Sequence, residues 1–249
     1  MTCQNNQTHQ VKSSREQHYP LDTLDFFAAF PADLLKKLHD SGRRVSYTKG
    51  QVLFTQDDPA EWFYMIESGW VKLFRETLDG DEVILDVLPA GYVFGETTMF
   101  ENGAYPYGAE IVEAGDLTAY PVALLADCVR GNGDLALAML QHIATKNMMK
   151  DREIEHRTIM NAPQRIGCFL LRLCKVKQTP PVVLHLPYDK TLIASRLGMQ
   201  PETFSRALTR LQQDTGIKIK GATVEIDNMG KLITYTCTAC SNVFPCDNE

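Results

Sequence analysis

The sequence predicts an α+β protein with an N-terminal antiparallel β-roll, one long helix and a C-terminal winged helix-turn-helix. Between Val45 and Val122, short segments rich in β-branched and aromatic residues alternate with glycine-containing turns, as in an antiparallel barrel or jelly roll. Residues 123–159 contain no proline and carry a helical periodicity. Residues 161–236 then alternate helical segments with short strands and end in a small hairpin, which is the order of a winged helix-turn-helix.

The composition is that of a globular chain. It has 249 residues, of which 44% are hydrophobic and 22% charged, so two modest domains with apolar cores are expected. No segment approaches the ~18 apolar residues that a spanning helix needs, and we expect no membrane association. Residues 1–20 form a polar, flexible lead without the hydrophobic segment of a signal peptide, which predicts a reducing, cytoplasmic location.

The net charge of −6 conceals an uneven distribution. Residues 1–160 carry 14 Lys and Arg against 24 Asp and Glu, whereas residues 161–236 carry 11 against 5. An acidic body joined to a basic segment indicates that the basic part contacts a polyanion, although an accidental asymmetry is the alternative.

Residues 21–130 are assigned to the β-roll domain. Leu21 to His39 is expected to form a short helical entry, because leucines recur at helical spacing before Gly42. The strands follow, and the Asp79-Gly80 pair between two alternating segments predicts a hairpin.

Residues 131–160 are assigned to a dimerisation helix that begins after the helical segment at Ala123. Two adjacent stripes of residues run along this helix. They could form the interface of a homodimer, or one of them could lie on the chain's own barrel. The first stripe consists of Leu135, Met139, His142, Lys146, Met149 and His156, and the second of Leu140, Ile143, Asn147 and Ile154.

Residues 161–236 are assigned to a winged helix-turn-helix. Asp189 can cap the first helix of the pair, Gly198 makes the turn, and Pro201 opens the second helix. At helical spacing, the polar residues of the second helix share the outer face and begin in the first turn, which is the part that reaches base edges. These candidate DNA-contacting residues are Glu202, Ser205, Arg206 and Thr209.

Residues 237–249 form a tail in which three of the seven cysteines occur, at Cys237, Cys240 and Cys246. The spacing C-x2-C-x5-C places thiolates where they can bind one metal ion or one iron–sulfur cluster. Spacing alone does not separate iron–sulfur from structural zinc. Cys168 and Cys174 lie on an apolar helix and are expected in the core, while Cys3 and Cys128 follow no pattern.

The segment LIASRLGMQPETFSRALTRLQ resembles the helix-turn-helix of the CRP/FNR superfamily of bacterial transcription regulators, and the roll ending in LPAGYVFGE resembles its sensory domain. Glu202, Ser205 and Arg206 match the E-x-x-S-R pattern of the FNR branch. The resemblance implies a homodimer on double-stranded DNA with TTGAT-like inverted repeats, and RNA polymerase as a further partner.

The cysteine tail resembles that of the FNR of Gram-positive bacilli, which implies a [4Fe-4S] cluster sensitive to oxygen or nitric oxide. In that group a carboxylate on the dimer helix is the fourth ligand. The matching position here is His156, with the adjacent Glu155 as the alternative and Asp151 or Cys128 as more distant candidates.

Other functions are less consistent with the sequence. Cyclic-nucleotide-binding relatives carry an Arg-Ser pair about ten residues after a Gly-Glu pair, but Gly95-Glu96 is followed by Tyr105–Gly108, so no cyclic-nucleotide response is expected. The six histidines are scattered, which argues against a metal-dependent enzyme. Two alternatives stay open: a haem-based nitric oxide sensor of the same superfamily, and a zinc-binding interaction module that does not touch DNA.

Overall fold

A computed structural model describes residues 25–174, 180–187 and 189–238. It confirms the predicted α+β class, with an antiparallel β-roll, a long helix and a winged helix-turn-helix in that order. The polar lead and the tail residues Cys240 and Cys246 lie outside the described residues. None of the helices in the described ranges is both long and apolar enough to cross a membrane.

Eight antiparallel strands form the roll. They are β1 (Arg43–Tyr47), β2 (Val52–Phe54), β3 (Trp62–Ile66), β4 (Trp70–Glu76), β5 (Glu82–Pro89), β6 (Val93–Phe94), β7 (Gly108–Glu113) and β8 (Gly115–Pro121). Two sheets result, with strand orders β1-β8-β3-β6 and β2-β7-β4-β5. Buried residues such as Ile66, Val71 and Ile111 fill the space between them. The predicted β4–β5 hairpin is present, and Gly80 adopts a φ of +85° in its turn, a conformation that favours glycine.

The helical entry differs from the prediction. A 3-10 turn at Asp25–Phe27 precedes α1, which spans Ala32–Ser41, so the segment from residue 25 to His39 is not one continuous helix; Leu21 to residue 24 lie outside the described residues. Pro31 occupies the N-cap of α1, where a residue without an N–H costs no helical hydrogen bond. The aromatic residues before it pack on one another and on the roll, which fixes this segment by tertiary contact.

Two helices follow the roll. The first, α2, spans Val122–Gly131, and the second, α3, spans Gly133–Ile159. Asn132 separates them, because its side chain accepts hydrogen bonds from the backbone N–H groups of Asp134 and Leu135 and so caps α3.

The first predicted stripe of α3 is not free for a partner. Leu135 and Met139 are buried in the core that joins α1, α2 and the roll. His142 and Lys146 both contact the carboxylate of Glu96 on the roll. At these four positions α3 therefore packs on its own barrel.

Within the described residues, the winged domain contains four helices and a three-stranded sheet. Its elements are α4 (Ala162–Leu173), β9 (Val182–His185), α5 (Lys190–Arg196), α6 (Pro201–Thr215), β10 (Lys218–Lys220), β11 (Thr223–Ile226) and α7 (Met229–Cys237). The sheet has the order β10-β11-β9. The sequence analysis did not foresee α7, which packs on α4 and α6 and ends at the first cysteine of the tail motif.

A buried arginine connects the winged domain to the roll and to α3. Arg196, at the end of α5, is 4% exposed. Its guanidinium donates to Asp86 Oδ1 on β5 at 2.8 Å and to Glu153 Oε2 on α3 at 2.7 Å. This network fixes the position of α5, and with it the helix-turn-helix, relative to the sensory roll.

Candidate nucleic-acid interface and cysteine site

The helix-turn-helix has the predicted local geometry. Asp189 Oδ1 accepts a hydrogen bond from the Thr191 N–H at 2.9 Å and caps α5. Gly198 has a φ of +62°, which lets the chain turn between the helices, and Pro201 opens α6. Two arginines hold the end of α5, since Arg165 donates to the Leu197 carbonyl at 3.3 Å and Arg157 to that of Arg196 at 3.5 Å.

The helix α6 has one buried and one exposed side. Its buried residues are Phe204, Ala207, Leu208 and Leu211. Its four candidate DNA-contacting residues are all exposed, namely Glu202, Ser205, Arg206 and Thr209. Arg206 Nε makes a 3.3 Å contact to the carbonyl of Glu202, and no carboxylate within the described ranges pairs with its guanidinium. Its remaining N–H groups are thus available to a base edge or a phosphate.

The wing supplies a further exposed cationic side chain. β10 and β11 pair through a turn in which Gly221 has a φ of +61°. Lys218 pairs with Asp227 at 2.7 Å, whereas Lys220 is exposed at the end of β10. The wing and the exposed side of α6 therefore offer cationic groups to an anionic ligand.

His156 lies near the C-terminal end of α3 and contacts Cys168, a residue that was predicted to lie in the core. Its Nδ1 is 3.5 Å from Sγ of Cys168 on α4. Both residues line one cavity between α3, α4 and α5. Burial lowers the pKa of His156, and the charge of Arg172 adds to this effect against the opposing charge of Glu155. The imidazole is therefore neutral at pH 7, the form that can bind a metal or share a hydrogen bond with sulfur.

The other cysteines are spread over the molecule. Cys174 is buried, as predicted, and burial raises its pKa to about 11, which makes it an inert thiol. Cys128 packs against the roll core. Cys237 is half-buried at the end of α7 and contacts the winged-domain core. The prediction that Cys168 belongs to the core is wrong, because it is only half-buried and lines the cavity.

The predicted ligands are of types that suit a thiolate-bound centre. Cys237 supplies a thiol and His156 a neutral imidazole, both of which bind zinc and iron. Glu155 is half-buried and Asp151 is exposed. In the described ranges no three His, Cys, Asp or Glu side chains converge as an ion site. Two of the three tail cysteines lie outside those ranges, and the donor types present are compatible with the group.

Inside the roll, the Glu96 side chain is fully buried and its carboxylate contacts two side chains of α3. Its Oε1 is 3.0 Å from His142 Nε2 and also contacts Lys146 Nζ. Burial would raise the pKa of Glu96, but the hydrogen bond from His142 and the charge of Lys146 outweigh it and hold that pKa below its ordinary value. Tyr105 stacks on Phe54 with ring centroids 3.5 Å apart, and the Gly95 N–H donates to the Tyr107 hydroxyl.

Comparison with known proteins agrees with this arrangement of domains. Residues 44–132 match the family of the cyclic nucleotide-binding domain, and residues 164–235 match the Crp-like helix-turn-helix domain. A solved structure from Ruegeria pomeroyi, described as a candidate cyclic nucleotide binding protein, is 30% identical. That match covers 87% of this chain and 95% of the other, with a TM-score of 0.69. The chain belongs to the CRP/FNR family of regulators.

More distant CRP/FNR relatives carry diverse names. The Fumarate and nitrate reduction regulatory protein of Shigella dysenteriae is 28% identical over 189 residues, which are 75% of either chain. The Cyclic AMP receptor protein of Thermus thermophilus is 27% identical over 184 residues, which are 74% of this chain and 83% of the relative. At the level of its family, the CRP/FNR chain is a transcription regulator with a DNA-binding helix-turn-helix.

Proposed function

We propose that this CRP/FNR regulator is a homodimer that reads TTGAT-like inverted repeats and senses oxygen or nitric oxide through a [4Fe-4S] cluster. Cys237, Cys240 and Cys246 would bind the cluster, with His156 or Glu155 as the fourth ligand. The observation that carries the proposal is the position of Cys237. The tail motif starts at the end of α7, on a domain whose α4 contacts His156 of the long helix.

The DNA-reading part of the proposal rests on α6. Arg206 is exposed in the second turn of the helix, where it can make a bidentate contact with guanine O6 and N7. Glu202 is exposed in the first turn and can accept from the amino group of cytosine. The excess of Lys and Arg in residues 161–236 supplies the sequence-independent attraction to phosphates.

The dimer part rests on the outer side of α3. Away from Leu135 and Met139, this helix exposes five large apolar residues, namely Leu137, Leu140, Met148, Ile154 and Ile159. Leu140 and Ile154 belong to the second predicted stripe and share one face of the 27-residue helix, and exposed apolar residues in such a stripe are typical of a helix–helix seam. A second copy of the chain covers this stripe with the same residues, as a two-fold interface requires.

The Leu140→Glu variant is therefore expected to shift the protein from dimer to monomer at micromolar concentration, because it places two charges in an apolar seam. Sedimentation velocity measures the shift. Leu78→Glu is the matched control, since Leu78 is fully exposed in the β4–β5 turn, and it should leave the dimer intact. Equal sedimentation of the wild type and Leu140→Glu would contradict the seam.

We also propose that the roll does not respond to cyclic nucleotides. In cyclic-nucleotide-binding relatives the matching glutamate holds the ribose hydroxyl, whereas Glu96 here is 0% exposed and contacts His142 and Lys146. Exposing this carboxylate to a ligand would leave the Lys146 ammonium and the His142 ring without their partner. Titration calorimetry with cyclic AMP should show no saturable heat, and a saturable signal would contradict this part.

When bound, a [4Fe-4S] cluster supplies a centre that oxygen or nitric oxide degrades. The chain's own residues would link two segments through the centre. The tail continues from α7 of the winged domain, while His156 belongs to α3. A centre shared by the tail and α3 would restrain the winged domain relative to the dimer helix. The spacing of the two helix-turn-helix units would then match successive major grooves, which are ~34 Å apart.

Metal analysis of anaerobically purified protein tests the cluster. We expect about four iron and four sulfide per chain, and loss of both in Cys240→Ser but not in Cys174→Ala, whose thiol is buried. Colourless protein without iron would contradict the proposal. Stoichiometric zinc would indicate a structural site, and a Soret band would indicate haem.

A further inference from the structure

One cavity lies between the C-terminal part of α3, the helix α4 and the end of α5. The described residues that line it include none from α6, the wing or the tail motif, so it is separate from the DNA-contacting side of the winged domain. Its volume is about 40 Å³, which is room for roughly three water molecules. A single tetrahedral oxyanion therefore fits this cavity, whereas a nucleotide does not.

Arginine dominates the lining of the cavity, and two of its arginines are already paired. The guanidinium of Arg196 binds the carboxylates of Asp86 and Glu153. Arg157 donates to Glu153 Oε1 at 3.0 Å. Glu153 is the one carboxylate among the described lining residues, and these contacts occupy it. The four lining arginines are Arg157, Arg165, Arg172 and Arg196.

The other two arginines, Arg165 and Arg172, are seven residues apart and so share one face of α4. Neither pairs with a carboxylate within the described ranges. Arg165 donates one N–H to the Leu197 carbonyl at 3.3 Å, but its Nε is buried without a hydrogen-bond partner there. Burial lowers the pKa of Arg165, and the charge of Arg157 adds to this effect. A bound anion would satisfy the buried donor and offset the repulsion between the two guanidinium groups.

The walls of the cavity favour a charged ligand over bulk water. Phe169 and Leu197 line it with apolar surface, which limits hydration and strengthens the hydrogen bonds made inside. Guanidinium groups bind oxyanions through pairs of N–H groups, with a geometry that a spherical ion does not match. Because Arg165 and Arg172 bring two positive charges without a carboxylate partner, a divalent oxyanion balances the site.

We propose that this cavity binds the divalent phosphate group of a small molecule, either inorganic phosphate or a phosphate monoester, through Arg165 and Arg172. The inference goes beyond the proposed function and does not rest on the iron–sulfur cluster. A bound phosphate group would add a contact where α4 meets α3 and the end of α5. It would therefore help to hold the helix-turn-helix against the long helix, at the same place as the Arg196 network.

Titration calorimetry of the full-length protein, with inorganic phosphate and with glycerol 3-phosphate at one fixed ionic strength in sodium chloride, tests the site. We expect one saturable site per chain, and the probe that binds more tightly identifies the free anion or the ester as the ligand class. Arg172→Gln should weaken binding about ten- to a hundred-fold, the effect of losing one charge-assisted hydrogen bond.

Arg130→Gln is the matched control, because Arg130 forms an exposed pair with Asp127 outside the cavity, and its affinity should equal that of the wild type. No saturable binding of either probe to the wild type would overturn the proposal. Equal affinities of the wild type and Arg172→Gln would overturn it as well.

A measurement on the wild type guards against a variant that fails to fold. Hydrogen exchange followed by mass spectrometry, with and without the tighter probe, reports where the anion binds. Slower exchange is expected in peptides that cover residues 153–172 and 190–197. Slower exchange confined to α6 and the wing would place the anion on the DNA-contacting surface and overturn the assignment, as would unchanged exchange throughout the chain.

Discussion

Replacing Arg206 with alanine is expected to weaken binding to a TTGAT palindrome by about ten- to a hundred-fold, while binding to unrelated DNA changes little. The expected loss is about 1–3 kcal/mol, the contribution of one bidentate contact with guanine. Arg206 is exposed on the recognition helix, and its guanidinium has no carboxylate partner among the described residues. Fluorescence anisotropy with both DNAs at one fixed salt concentration measures the two affinities.

Arg210→Ala is the matched control for this experiment. Arg210 is on the same helix one turn later, is exposed, and pairs with Asp214 at 3.5 Å. Arg210→Ala removes a positive charge, as Arg206→Ala does, but outside the first two turns of α6. It should therefore lower the affinity for the palindrome and for unrelated DNA slightly and equally. Equal losses on both DNAs for Arg206→Ala would show that this residue contacts phosphate instead of reading a base.

The Arg196→Ala variant is expected to lose about 3 kcal/mol of unfolding free energy, the size typical of breaking a buried ion pair. It leaves Asp86 and Glu153 without the guanidinium that joins them, although Glu153 keeps its 3.0 Å contact with Arg157. Urea unfolding measures the loss. Arg130→Ala, which breaks an exposed pair with Asp127, should change the free energy by less than about 1 kcal/mol. Equal effects of the two variants would contradict a buried interdomain network.

The same network predicts a pH dependence. Burial would raise the pKa of Glu153, but the hydrogen bonds and charge of Arg196, with the charge of Arg157, hold it below its ordinary value. A lowered pKa in the folded state adds stability above the ordinary glutamate pKa of ~4.3, and that stability is lost as the pH falls through the lowered value. The stability difference between wild type and Arg196→Ala should thus be constant near neutral pH and shrink below about pH 4.

Local sequence signals predicted the parts of the fold that depend on local chemistry. The Asp189 cap, the Gly198 turn, Pro201 and the two sides of α6 follow from residues close together in the chain, and the structure has all of them. The start of α1 was misplaced, because aromatic packing and Pro31 decide it.

Features that depend on contacts between distant segments could not be read from the sequence. The Arg196–Asp86 pair joins residues 110 positions apart, and Glu96 meets Lys146 across 50 positions. Cys168 was placed in the core because it lies in an apolar segment, yet it lines the cavity beside His156. The helix α7 was missed because its nine residues, MGKLITYTC, lack clear helical signals, and packing on α4 and α6 stabilises it.

Operator affinity measured before and after exposure to air tests the central claim most directly. The anaerobic wild type should bind a TTGAT palindrome tightly, then lose affinity on exposure to air in step with the loss of its iron. Cys240→Ser should bind weakly and equally under both conditions. Wild-type protein that binds its operator with the same affinity before and after air, whatever its iron content, would contradict the account.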